Sequence, residues 1–139
     1  MKYSFELQTD TTIDKIWPLY EDVNKWFKWE DDLEDISLHG EFIKGSNGSM
    51  KLSGQALIDF VLVSVNPGKS FTNRTSIPNI GDIYFIHELN DNNGQTLVKH
   101  SVEFIPSNRK ANIKDLTFVS QIFADVPAAI FSLIEAANE

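Results

Sequence analysis

Polar and apolar residues alternate through Tyr3-Ser4-Phe5-Glu6-Leu7, the two-residue period of a half-buried strand. The period then changes. Ile13, Ile16, Trp17 and Tyr20 recur at helical spacing behind Thr11 and Thr12, and Asp14 stands where it favours the positive end of a helix. Pro18 has no amide proton to give a helix interior, so it limits or kinks this helix. A second short helix over 23–29 places Val23, Trp26 and Phe27 on one side. From Ile36 to Ile105 strands and turns replace helices. Ile36-Ser37-Leu38 and Met50-Lys51-Leu52 are short strands, and Gly45 to Gly48 between them is rich in turn residues. Leu57 to Val65 is the longest run, ended by Asn66-Pro67-Gly68-Lys69. Phe71 to Ile77 follows and closes at Pro78-Asn79-Ile80-Gly81-Asp82. Ile83 to Leu89 and Thr96 to Ile105 make a hairpin around the loop from Asn90 to Gln95.

The end of the chain returns to helical spacing. From about Asp115 to Ala137, Val119, Phe123, Val126, Ile130, Leu133, Ile134 and Ala137 form one apolar stripe, with Gln121, Asp125, Ser132 and Glu135 opposite. Pro127 breaks the backbone ladder near the middle, which predicts a kink, or two helices end to end with Asp125 as a cap. Helices segregated from a run of antiparallel strands define an α+β fold. The expected architecture is a curved antiparallel sheet of about seven strands wrapped on a long C-terminal helix, with two short helices after strand 1. At 139 residues with no linker or repeat, the chain reads as one domain over 1–139.

Side-chain alternation assigns the faces. Pairing about the centre of the Asn90–Gln95 loop sets Phe85 opposite His100 and His87 opposite Val98. Ile83, Phe85, His87 and Leu89 then share a face with Thr96, Val98, His100 and Val102. The Pro78 turn adds Phe71, Asn73, Thr75 and Ile77, and the Pro67 turn adds Leu57, Asp59, Val61, Val63 and Val65. The other face collects Glu88, Lys99, Ser101, Glu103, Arg74, Thr72 and Ser76. The inner face is therefore apolar except for Asn73, Thr75, His87, His100 and Asp59. An unpaired buried polar group costs roughly 1–3 kcal/mol, so these groups need one another, water or a ligand. Either the histidines bond to each other, to Asn73 or to Thr75 inside a filled core, or they orient a small molecule in a cavity.

Charge and composition narrow the classes. The formal net charge of −8 opposes binding to nucleic acid, which needs a basic surface. No cysteine is present, which removes disulfides, thiolate zinc sites and cysteine nucleophiles and agrees with a cytoplasmic setting. No apolar run reads as a bilayer span, and the N-terminus lacks the apolar stretch of a signal peptide, so membrane insertion is not expected. Asn47-Gly48-Ser49 and Asn73-Arg74-Thr75 then read as chance matches to the glycosylation triplet. Glu30, Asp31, Asp32, Glu34 and Asp35 read as a solvated acidic loop, with a calcium site as the alternative. His39 and Asp59 lie on separate segments, so the two inner histidines have no third metal ligand, and no metal or cofactor is expected.

Several segments together resemble the START-like, or SRPBCC, superfamily, which includes the birch pollen allergen and polyketide cyclase/dehydrase-like proteins. They are Ile16-Trp17-Pro18-Leu19-Tyr20-Glu21-Asp22-Val23 with Trp26 and Trp29, then Gly40, Gly45 and Gly48, then Pro67-Gly68-Lys69. Tyr84-Phe85-Ile86-His87-Glu88-Leu89 and Thr96-Leu97-Val98-Lys99-His100-Ser101-Val102 complete the set. The resemblance covers nearly the whole chain and implies a helix-grip fold with a deep apolar cavity between sheet and C-terminal helix. Superfamily members bind lipids, sterols, polyketides or other apolar molecules, and some are enzymes with no shared catalytic set.

Three functions follow as expectations. The first is binding of a small apolar or aromatic molecule, with Trp29, Phe71, Phe85 and Phe123 as walls and Asn73, Thr75, His87 and His100 orienting a polar end. The second is a cofactor-independent cyclase, dehydratase or isomerase using His87 or His100 near its ordinary pKa. The third is a protein-interaction module that exposes Phe60 with Leu62 and Tyr84 with Ile86 on the outer face. Monomer and homodimer are both compatible with the sequence.

Overall fold

A computed structural model describes all 139 residues. Strand β1 (Lys2–Thr9) leads into helix α1 (Ile13–Glu21) and a short 3₁₀ helix (Val23–Lys28). Six strands follow: β2 (Leu33–His39), β3 (Asn47–Leu52), β4 (Ile58–Asn66), β5 (Ser70–Ile77), β6 (Gly81–Asn92) and β7 (Gln95–Pro106). Helices α2 (Asp115–Phe123) and α3 (Val126–Ala137) end the chain. The strands form one antiparallel sheet in the order β1-β7-β6-β5-β4-β3-β2. Strands β1 and β2 are therefore opposite edges, and α1 with the 3₁₀ helix must cross the sheet to join them. These helices and α3 bury the largest core cluster, which includes Trp17, Tyr20, Trp26, Trp29, Phe60, Phe71, Ile130 and Leu133. A smaller cluster of Ile83, Val102, Phe104 and Val119 packs beneath α2. The C-terminal helix is two helices end to end. Asp125 stands at the start of α3, but its side chain makes no capping hydrogen bond.

Three features of the sheet depart from the sequence reading. The β6–β7 hairpin turns on two residues, Asn93 and Gly94, both with positive φ, at 55° and 87°. A turn of this kind continues the strand twist, so pairing extends to Asn92 and Gln95. The register moves by two residues: His87 lies opposite His100 and Phe85 opposite Val102. A two-residue shift preserves the faces, so the inward set on these strands stands.

The second departure does change faces. The β4–β5 register slips between Leu62 and Ser64, a β-bulge that rotates the strand by one residue. Val65 stays inward against the core, but beyond the bulge Ile58, Phe60 and Leu62 point in, and Asp59 is exposed. The expected inward placement of Leu57, Asp59, Val61 and Val63 is thus wrong, as is an outer patch of Phe60 and Leu62, which are 1% and 0% exposed. Third, Gly48 belongs to β3 rather than to a turn. A Cβ there would lie 2.3 Å from the Ser37 carbonyl oxygen and 2.6 Å from the Phe60 ring, so the missing side chain makes room for Phe60.

The segment entering α2 is pinned by charge. The Arg109 guanidinium donates two hydrogen bonds, of 2.9 and 2.8 Å, to the Asp115 carboxylate, which also accepts from the Asn112 amide. These donors hold the Asp115 pKa down at about 2. By length and composition the 23 residues from Asp115 to Ala137 could cross a membrane, contrary to the sequence reading. Here Val119, Ala129, Ile130 and Leu133 turn this segment onto the sheet.

Candidate functional site

A cavity of about 390 Å³ lies between the inner face of the sheet and α2–α3. Its walls draw on both core clusters, because Ile83 and Phe85 face Leu52, Ile58 and Ala129 across it. Exposed Gln55, Gln121 and Asp125 mark its mouth. A smaller cavity of about 80 Å³ shares Glu30, Leu52, Ile58, Phe85 and His87 with it and adds Asn73.

Strand pairing brings the two histidines together on the cavity wall. Their ring centroids are 4.6 Å apart, and each imidazole is held by a group outside the pair. The His87 ring stacks on Phe71 at 4.0 Å and 5°, and its Nδ1 lies 3.2 Å from the Phe71 carbonyl oxygen. A carbonyl only accepts, so His87 carries its proton on Nδ1 and keeps a lone pair on Nε2. The His100 Nε2 lies 2.7 Å from the Tyr20 hydroxyl. Burial raises the Tyr20 pKa, so the phenol keeps its proton and the two groups share one hydrogen bond. Burial also lowers both histidines, His87 to about 3 and His100 well below the usual histidine range, where the neighbouring His87 adds to the effect. Both rings are therefore neutral at physiological pH. The expectation of a histidine near its ordinary pKa does not survive burial.

Asn73 and Thr75 are 3% and 6% exposed and do not bond to the imidazoles. The Asn73 Oδ1 and Thr75 Oγ1 atoms are buried with no hydrogen-bond partner. Thr75 lines the main cavity and Asn73 the small one. Thr75, Phe85, His87 and His100 thus meet around one space. Trp29 and Phe71 do not line it. They stand behind the histidines in a packed aromatic group, where the Tyr20 ring is 5.6 Å from Trp29 and 5.0 Å from Phe71. Phe123 also lies off the wall, half-buried with its ring 5.7 Å from Tyr3.

The structure adds acidic groups that the sequence placed in solvent. Glu30 follows the 3₁₀ helix, its amide bonded to the Trp26 carbonyl at 2.8 Å, and it lines both cavities. The residue is half-buried. Burial, with Asp32, Asp125 and Asp31 nearby, pushes its pKa up to about 8. Asp32 and Asp125 also line the main cavity, and Gln121, assigned to the solvent side of the helix, stands at its mouth. The run of acids does not act as one cluster: Glu34 pairs with Lys51, and Asp35 accepts from the Ile36 amide. Tyr20 was legible only as a core residue, since nothing in its spacing reveals a partner 80 positions away.

No protein-family model and no curated protein matches the chain. Solved structures do match. Ara h 8.0201 aligns with a TM-score of 0.76 over 99% of this chain and 97% of its own, at 9% identity. Norcoclaurine synthase from Thalictrum flavum aligns at 0.73 over 100% and 87%, with 12% identity. CalU16 from Micromonospora echinospora aligns at 0.69 over 98% and 75%, with 15% identity. These likenesses show the helix-grip fold that the sequence resemblance implied.

Proposed function

We propose that this chain binds a small apolar or aromatic molecule, lipid-like or polyketide-like, in the cavity between the sheet and α2–α3. The observation that carries this reading is the Thr75 hydroxyl, buried and unpartnered on the wall of a cavity half of whose lining residues are apolar, among them Leu52, Ile58, Ile83, Phe85 and Ala129. A buried hydroxyl without a partner destabilises the free protein, and a ligand that bonds to it recovers that loss. Two neutral imidazoles beside it suit an uncharged polar atom on the same molecule. The neutral fluorophore N-phenyl-1-naphthylamine should bind with an emission increase, and Ile122→Trp, which narrows the cavity, should weaken that binding at least tenfold. Equal binding by the variant, or none by the wild-type protein, refutes the proposal.

A second reading, acid–base chemistry of the cyclase, dehydratase or isomerase kind, draws support from Glu30. A base with a pKa of about 3, such as His87, removes protons poorly at neutral pH. Glu30, near 8, sits where a carboxyl both gives and takes a proton. Turnover of a bound carbonyl compound that disappears in Glu30→Gln while binding persists would establish this reading over simple carriage.

A further inference from the structure

We infer that the molecule held in this cavity carries a protonated amine on its apolar body, with the ammonium drawn to the acidic side of the lining, which Glu30, Asp32 and Asp125 supply, and the unpartnered Thr75 hydroxyl in the same lining. The inference rests on the binding role proposed above and adds the chemical class of the ligand's polar end.

Three observations converge on it. First, the cavity lining includes three carboxylic acids and no lysine or arginine. The imidazoles are neutral, so no protein cation balances the acids. Asp31 has the same sign, and Lys51 on β3 is engaged with Glu34. Second, the Asp125 carboxylate stands at the N-terminus of α3 without bonding to that helix's amides. It lines the cavity instead. Third, independently of the acids, two polar groups that are more than nine-tenths buried have no partner: Thr75 Oγ1 on the main cavity and Asn73 Oδ1 on the small one beside Glu30.

The inventory of bonding groups then selects the ligand chemistry. Carboxylates, an amide oxygen and the lone pair of His87 accept hydrogen bonds, and a hydroxyl can do so; Glu30, which holds its proton at neutral pH in the free protein, gives it up beside an ammonium. An ammonium offers three donors and no acceptor, and it supplies the missing positive charge. A carboxylate ligand would instead meet like charge. An alcohol would satisfy one or two acceptors and leave the acids uncompensated. A metal ion is a poorer fit, because no three of these side chains converge as a ligand set. The net charge of −8 also favours cations at long range.

The test is displacement of N-phenyl-1-naphthylamine at pH 7 by three probes with one apolar body: 4-phenylbutylamine, 4-phenylbutanol and 4-phenylbutyrate. The amine should compete at least about tenfold better than the alcohol, as one charge-assisted hydrogen bond in a partly dry site supplies. The butyrate should be weakest. The amine-to-alcohol ratio should fall toward one in Glu30→Gln and in Asp125→Asn, the second a change at an exposed position that the fold tolerates. Reading the ratio cancels any general effect of a variant on the cavity. An alcohol that equals the amine, or a preference that persists in both variants, overturns the inference while leaving the binding role intact. Failure of the fluorophore itself to bind refutes the binding role.

Discussion

Replacing Glu30 by Gln should remove a loss of stability that the native protein undergoes between pH 6.5 and 8. The unfolded carboxyl titrates near 4.5 and the folded one near 8. Between those values the unfolded state has released a proton that the folded state still holds, so stability falls as pH rises. The histidines act in the opposite direction. Unfolded imidazoles bind protons below about 6.5, while folded His87 resists protonation to about 3 and His100 resists it as well. Stability therefore falls as pH drops below 6.5. Two histidines outweigh one glutamate in the overlap, which puts the maximum near pH 6.5. Above it the histidine contribution fades and Glu30 dominates over the remaining 1.5 pH units. At 1.36 kcal/mol per unit, and with the last histidine protons opposing it, roughly 1 kcal/mol is lost by pH 8. With an m-value of about 2 kcal/mol/M, the urea midpoint of the wild-type protein should drop by roughly 0.5 M between pH 6.5 and 8. Glu30→Gln should show no such fall, its midpoint rising slightly over that range as the unfolded histidines lose their last protons, and should keep the decline below pH 6.5. A wild-type midpoint that is flat from 6.5 to 8, or a variant that declines in parallel, would falsify the assignment of a buried protonated carboxyl.

Other substitutions test the remaining elements of the site by urea denaturation. Tyr20→Phe strands His100 Nε2 without its 2.7 Å partner and should cost about 1–3 kcal/mol at pH 7; an unchanged midpoint would mean the bond contributes nothing. Thr75→Val replaces an unpartnered hydroxyl by a methyl of similar shape and should leave the free protein as stable or about 1 kcal/mol more so. A loss above that figure would reveal a partner for the hydroxyl. Phe60→Ala should cost about 3–5 kcal/mol, and Val61→Ala less than half as much; the reverse order would place the bulge elsewhere on β4.

The alternation and helical stripes of this sequence settled which segments become strands and helices, because each element must turn its apolar residues to one side. They also placed Phe85, His87, His100, Asn73 and Thr75 on one face, since pairing errors of two residues leave alternation intact. What they could not settle depends on single-residue events. The bulge between Leu62 and Ser64 inverts half of β4, and Val61 and Leu62 look equally fit for burial in a one-dimensional pattern. The Asn93-Gly94 turn was readable in principle, yet the surrounding polar residues masked where pairing ends. The chemistry of the site came from contacts between distant segments. Burial took the charge from two imidazoles, Tyr20 supplied the partner of His100, and Glu30 was drawn from a run of apparently solvated acids into the cavity. Protonation state depends on desolvation and neighbouring charge, and only the packed chain in three dimensions determines those.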